Sequence, residues 1–299
     1  MMPIQIEDQL YLIPLDQHLR GFTHFIGAWL FKSEQTYLID VGPAATAFRL
    51  LKTLDRLGIR HLDAILLTHI HLDHAGGIGQ VARAFPTAPI ICHQKAIRHL
   101  ANPNRLWEGS VKTLGDTAIA YGKIAPVPAS RLVDAEDAFL PGLKPIMTPG
   151  HAPHHVSFDI PPFLFLGETG GVLQLTEGGH TYLRPATPPR FFLETAVESL
   201  DLLIARNPEK ICYGHFGMHP SGVDMLKLHR EQLFRWEKIL GRLVVASAKE
   251  PSPEDCLKAL FDADPMLSGF SRLDRPEQER EEFFLLNSVR GYIGYIQGK

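Results

Sequence analysis

The chain has 299 residues, 45% of them hydrophobic and 21% charged, with a formal net charge of −3. That suits a soluble globular protein built on one large domain, with or without an appendage, and with ample material for a core. No lysine- and arginine-rich run stands out, which weighs against a nucleic-acid partner, and no run approaches the roughly 20 apolar residues of a membrane span.

Three scattered cysteines, Cys92, Cys212 and Cys256, are too few and too odd in number for a disulfide framework, and two sit in apolar runs that read as buried core. The N-terminus MMPIQIEDQLYLIPL lacks a basic start followed by an apolar stretch, so it does not read as a signal peptide, and a cytoplasmic location is expected.

In chain order, residues 10–15 (LYLIPL), 25–31 (FIGAWLF) and 36–42 (TYLIDVG) read as strands. Residues 44–58 have apolar positions near a 3.6 spacing and a closing glycine, so a helix is expected. Residues 62–68 (LDAILLT) form a continuous apolar run, as a strand covered on both faces requires. A helix over 76–85, a strand over 88–93, a helix over 94–101 and helix over 105–122 follow. Residues 143–151 read as a strand running into a loop, and 155–160 and 163–168 as two strands joined at Pro161-Pro162. Residues 190–207 form an amphipathic helix ending before Pro208, and 209–215 a last strand. From residue 221 the pattern is helical over 222–250, 252–263 and 275–297, with Ser252 placed to cap the second. This order predicts two packed sheets with helices outside, an α+β domain over residues 1–220 and a helical extension over 221–299.

The chemistry-bearing residues fall at the ends of these strands, where rigid scaffolds present functional loops. Asp40 follows YLI, His151 follows IMTPG, Glu168 follows FLFLG and His215 follows ICYG. The run THIHLDHAGG is denser: His69, His71, Asp73 and His74 are four residues of metal-binding type within six positions. Imidazoles and carboxylates without cysteine suit zinc, iron or manganese. His69 and His71, two apart in an extended loop, can point the same way, with Asp73 and His74 turned to a second point.

THIHLDHAGG resembles the signature of the metallo-β-lactamase superfamily. LIDVG, TPGHAPHHVSF, FLFLGETGG and YGHFG resemble its other motifs, in order, over about residues 8–219. The resemblance implies a four-layer αβ/βα sandwich with two divalent metal ions at one edge of the sheets. It implies that His69, His71 and His151 hold one ion, that Asp73, His74 and His215 hold the second, and that the fourth-motif residue bridges them. Asp40 is then a group behind the ligands that orients them. Two positions depart from the family pattern: Glu168 stands where the family has Asp, and His154 where relatives often have a turn glycine. His155 matches a position with a supporting role.

Such a site implies hydrolysis by a hydroxide formed on the metals, with Asp40 and Asp73 as catalytic groups and Asp73 moving the proton. The expected substrate is a small molecule with an ester-like bond: a lactone, a thioester or a related carboxylic ester. A phosphodiesterase or nuclease of the same superfamily, or a di-iron redox enzyme, is the alternative. The segment 173–192 is expected to border the pocket, with Tyr182, Arg184 and His154 as candidate substrate contacts and His24 and Trp107 as weaker ones. The C-terminal run FFLLNSVRGYIGYI is apolar on more than one helical face, so it is expected against the main domain or a second subunit of a homodimer.

Overall fold

The structure, a computed structural model, describes residues 2–175, 181–246 and 251–298. The first half carries strands β1 (Ile4–Glu7), β2 (Leu10–Pro14), β3 (Gly27–Lys32), β4 (Thr36–Ile39), β5 (Ala64–Leu66), β6 (Ile90–Cys92) and β7 (Leu132–Asp134). Helices α1 (Ala47–Arg56), α2 (Leu72–Ala75), α3 (Ile78–Ala84), α4 (Gln94–Ala101), α5 (Asn104–Leu114) and α6 (Asp116–Tyr121) lie between the last four of these strands. The second half carries β8 (Lys144–Met147), β9 (Val156–Ile160), β10 (Phe163–Gly167), β11 (Val172–Leu175), β12 (Thr181–Arg184), α7 (Leu193–Ala205), β13 (Lys210–Tyr213) and β14 (Met218–His219). Helices α8 (Gly222–Ala246), α9 (Pro253–Ala263) and α10 (Arg275–Gln297) end it.

The strands β1 to β7 form one sheet in sequence order. Pairing is antiparallel as far as β4 and parallel from β4 to β7, where the helical crossovers fall. The second sheet has the order β14-β13-β10-β9-β8, and β11 and β12 make a separate hairpin.

The two-residue period of a strand then sorts the apolar side chains into three layers. From β3, Trp29 and Phe31 join a cluster between the sheets, while Ala28 and Leu30 join one under the helices. Strand β5 divides likewise, Ala64 and Leu66 to one side and Ile65 to the other. On the second sheet, Phe163 and Phe165 meet the inter-sheet cluster, and Leu164 and Leu166 meet a third cluster under the C-terminal helices. This is why residues 64–67 and 163–166 are apolar without a break: both faces of each strand are buried. The result is the helix–sheet–sheet–helix layering that the sequence predicts.

Several elements were not legible as such. Strands β1, β7 and β14 are short, and β14 places a strand after the one expected to be last. The expected helix over 105–122 is broken at Gly115, whose φ of 55° leaves the helical region and divides it into α5 and α6. The segment 173–192, for which no strand was expected, carries most of the hairpin of β11 and β12. Its residues 176–180 lie outside the described residues, as do residues 247–250 at the end of the expected helix 222–250. The capping expectation holds at Ser252, which accepts from the Asp255 N–H at 3.1 Å; the structure adds a reciprocal capping box of Asp274 and Glu277 at the start of α10.

Packing runs straight across residue 220. Tyr182 and Leu183 of β12 share one apolar cluster with Trp236 of α8, Leu260 of α9 and Leu285, Val289 and Tyr292 of α10. Among the described residues no helix is long and apolar enough to cross a membrane.

Candidate metal centre

Beyond β5 the alternation of the strand slips as the chain enters the loop. The register shifts by one there: Ile65 and Leu67 pack under the helices, and then Ile70 and Leu72 take that side, so His69 and His71 face the other way, their ring centroids 4.6 Å apart. His71 has extended backbone and precedes α2, whose single turn carries Asp73 and His74. His151 arrives on the loop after β8, Glu168 directly after β10 and His215 after β13. These residues form two donor groups: His69, His71, His151 and Glu168 in one, and Asp73, His74 and His215 in the other, with the ligand atoms of each group within 4.8 Å of one another.

The Glu168 carboxylate faces both groups. Its Oε2 lies 2.8 Å from His151 Nε2, 3.4 Å from His69 Nε2 and 3.7 Å from His74 Nε2, and its Oε1 lies 3.1 Å from His215 Nε2. The Asp73 carboxylate is 3.8 Å from His74 Nε2 and 3.9 Å from His215 Nε2. Asp40 stands behind. It has φ +54°, a left-handed conformation that Asp tolerates better than most residues. There its carboxylate accepts from the Thr68 N–H and hydroxyl and meets His74 Nδ1, all at 2.8 Å. With Nδ1 so engaged, the Nε2 of His74 is the atom offered to the site.

His155 supports Glu168 from below. Its Nε2 accepts from the Glu168 N–H at 3.1 Å, and its Nδ1 faces the Thr148 hydroxyl at 2.9 Å. Gly167 makes that approach possible: with φ +57°, a Cβ there would come within 2.2 Å of His155 Nε2.

The electrostatics fit a cation site. Burial and the neighbouring imidazoles hold His69 well below its usual pKa. Burial and His151 bring His71 down to about 4, so both present neutral nitrogens. Burial opposes the charged form of His74, yet Asp73 and Asp40 outweigh it and raise His74 to about 9. Burial pushes Glu168 up, but His151 and His215 hold it well below the carboxylate range. The Nε2 atoms of His69 and His74 are buried without a hydrogen-bond partner among the described residues, the arrangement expected of nitrogens that ligate a metal. Imidazoles and carboxylates in this ratio suit a divalent ion of the zinc, iron or manganese type.

The THIHLDHAGG run and its strand-end partners thus meet at one sheet edge, and comparison with known proteins agrees. The model of the metallo-beta-lactamase superfamily matches residues 24–215. The chain belongs to the metallo-beta-lactamase superfamily. It is 27% identical over 213 residues to a metallo-beta-lactamase fold-containing protein of Sulfurisphaera tokodaii, covering 68% of this chain and 76% of that protein. It is 31% identical over 153 residues to a hydroxyacylglutathione hydrolase of Serratia proteamaculans, half the length of each. A crystal structure of an archaeal superfamily protein from Sulfolobus tokodaii shares the fold with a TM-score of 0.69 at 23% identity, covering 95% of this chain and 98% of that one. The α+β layering and the C-terminal helical region are therefore those of metallo-beta-lactamase folds, and the chain is a member of a metallo-hydrolase superfamily whose His, Asp and Glu groups could hold a metal ion.

A cavity of about 560 Å³ opens in front of the donor residues, with His71, Asp73, His151, Glu168 and His215 at its floor. The candidate substrate contacts divide around it. His154 lines the cavity, and burial with His71 and His151 nearby brings its imidazole down to about 3, so it faces the cavity neutral. Arg184 also lines it, although only 2% exposed. Tyr182 does not: it is fully buried, and its hydroxyl donates to Glu281 Oε2 at 3.0 Å. Tyr182 packs instead against Phe270, ring centroids 6.1 Å apart, in the cluster under the C-terminal helices. His24 stacks on Phe216, and Trp107 is half-buried against the core under the helices; neither lines the cavity.

Three residues escaped the sequence reading. Tyr121, at the end of α6, lines the cavity with a buried hydroxyl that has no hydrogen-bond partner among the described residues. Glu281 of α10 receives Arg184 and Arg280. Phe25 lies 4.3 Å from the His215 ring and 3.9 Å beneath the Arg280 guanidinium. No local signal marks any of them, since each acts through contacts with distant parts of the chain.

Proposed function

We propose that the protein is a dinuclear metal-dependent hydrolase that cleaves an ester-like bond in a small carboxylic substrate, a lactone, a thioester or a related ester. The observation that carries this reading is the shared Glu168 carboxylate, with one oxygen 2.8 Å from His151 Nε2 and the other 3.1 Å from His215 Nε2. One methylene longer than aspartate, it still reaches both donor groups. His69, His71 and His151 would hold one ion, Asp73, His74 and His215 the other. When bound, divalent ions supply Lewis acidity toward a carbonyl oxygen and activate water near neutral pH; zinc is the first expectation, and iron or manganese suits the same donors.

The protein's own groups do the rest. Asp40 fixes the His74 ring, and His155 fixes the backbone of Glu168. Asp73, at the cavity floor, takes the proton of the attacking water at its carboxylate and returns it to the leaving oxygen or sulfur as the acyl bond breaks. The relationship to hydroxyacylglutathione hydrolases at about 30% identity favours a carbonyl substrate over a phosphodiester.

The test is acid release by metal-replete protein against a lactone, a glutathione thioester, a β-lactam and a phosphodiester, with His71→Ala as control. Turnover of the lactone or thioester that the variant loses is the expected result. Turnover confined to the phosphodiester would replace this reading with a phosphodiesterase, and equal activity in metal-free protein would end the metal-dependent one.

A further inference from the structure

We propose that the cavity is built for an ester-like substrate carrying an apolar arm of several carbons, and that the arm lies along α5 past Gly109. This rests on the hydrolytic reading above.

The donor residues occupy only the cavity floor. The outer walls come from two helices: Leu106, Gly109, Ser110 and Leu114 of α5, and Phe284 of α10. Positions 106, 109, 110, 113 and 114 recur at the three- and four-residue spacing of one helix face. Arg105, at the start of the helix, is the one charged residue that α5 brings to the lining; Glu108 and Lys112 lie outside it. The polar atoms along it are few, and the Thr113 hydroxyl already donates to the Gly109 carbonyl at 3.0 Å. Leu106, Trp107, Val111 and Leu114 touch the core, yet no residue of α5 is buried. The apolar side of this helix is thus covered by protein on one flank and open to the cavity on the other. A mostly apolar cleft with a few convergent polar groups is the usual form of a small-molecule site. A substrate that was polar throughout would leave this wall without partners.

Gly109 is the second observation. It is a glycine in the interior of α5, where any residue but proline would favour the helix more. A Cβ built there meets no heavy atom within 4 Å. Packing gives no reason for the glycine, in contrast to Gly79 of α3, where a Cβ would come within 2.6 Å of the Ala125 carbonyl oxygen. What the missing side chain leaves is width in the cleft, so residue 109 sets how long an arm the site accepts. Arg105 and His99 also line the cavity and add the nearest cationic and polar groups to this wall.

The experiment uses the full-length, metal-loaded protein and two thioester series. In one, the acyl chain grows from acetyl to decanoyl on a fixed small thiol; in the other, the acetyl group is fixed and the thiol grows by the same steps. In one series kcat/KM should rise about fourfold per methylene before levelling off, and the series that rises identifies which side of the scissile bond carries the arm. Gly109→Phe should cut the decanoyl-to-acetyl ratio, or its thiol equivalent, at least tenfold, with a Tm no lower than the parent's. Lys112→Phe, on the outer face, should leave the ratio as it is. Calorimetry with decanoate gives a readout without turnover: binding with a negative heat-capacity change, weakened in Gly109→Phe. A flat profile in both series, or a ratio that Gly109→Phe does not move, overturns the proposal while the hydrolytic reading stands. Absence of turnover for every ester and thioester overturns both.

Discussion

Replacing Glu281 with glutamine should cost the fold about 3–5 kcal/mol. Glu281 is fully buried. It accepts from the Tyr182 hydroxyl at 3.0 Å, from Arg280 Nε at 2.9 Å and from Arg184 Nε. Both arginines are themselves buried, Arg184 over the Phe284 ring and Arg280 over Phe25, and Arg280 is further tied to Gln174 Oε1 at 2.8 Å and to the Gly21 carbonyl. Glutamine keeps the shape but removes the one anion between two guanidiniums, and an unpaired buried charge carries the desolvation penalty without the Coulombic return. Urea unfolding measures the loss. With a slope of about 3 kcal/mol/M, the midpoint should fall by roughly 1–1.5 M at unchanged slope. The acid limb gives an independent check. Burial would raise the Glu281 carboxyl, but Arg184 and Arg280 outweigh it and lower it in the folded state. Its contribution is therefore present above the unfolded value of 4.5 and lost as pH falls below it, and Glu281→Gln should lack that portion of acid destabilisation. A loss under about 1 kcal/mol would refute the reasoning, because it would mean that the guanidiniums find other partners. Replacing Glu281, Arg184 and Arg280 together with methionine should recover much of the stability that Glu281→Gln loses.

Three further outcomes follow from the same contacts. Asp40→Asn tolerates the left-handed backbone but weakens the hold on His74 Nδ1, so metal affinity measured by chelator competition should drop about 10- to 100-fold; an unchanged affinity would remove Asp40 from its orienting role. Stripping metal with a chelator should lower Tm, and restoring a divalent ion at about 1,000 times its Kd should return roughly 4 kcal/mol, or some 10 °C; a Tm indifferent to chelation would deny the cluster its ion. His229, buried beside Gln232 with Nδ1 3.0 Å from Oε1, is brought down to about 4 by burial. The folded state therefore favours the neutral ring. Its contribution is complete above the ordinary histidine value of 6.5 and is lost as pH falls toward 4, by up to about 3 kcal/mol. A His229→Asn variant whose stability falls just as steeply over that range would contradict it.

The donor residues that meet in the fold were legible because their signals are local. Four residues of ligand type in six positions, and single histidines or carboxylates at strand ends, need only the alternation of a strand and one turn of helix to be read. The layering was legible for the same reason: unbroken apolar runs at residues 64–67 and 163–166 require cover on both faces. The hairpin of β11 and β12 left a trace as well, two alternating runs around Gly178-Gly179, though a short run of that kind is easily taken for loop.

Other features depended on contacts that no window of sequence contains. Tyr182 and Arg184 are two residues apart in β12, yet only Arg184 lines the cavity, because α10 places Glu281 where it binds both, about 100 residues away in the chain. Glu168 differs from the aspartate of the family pattern by one methylene, and only the fold shows that its two oxygens reach opposite donor groups. The sequence determined which side chains would meet at the sheet edge, since secondary-structure periodicity is a local property. The tertiary structure alone decided which atoms they turn toward one another and what shape of cavity stands before them, since those follow from the packing of segments distant along the chain.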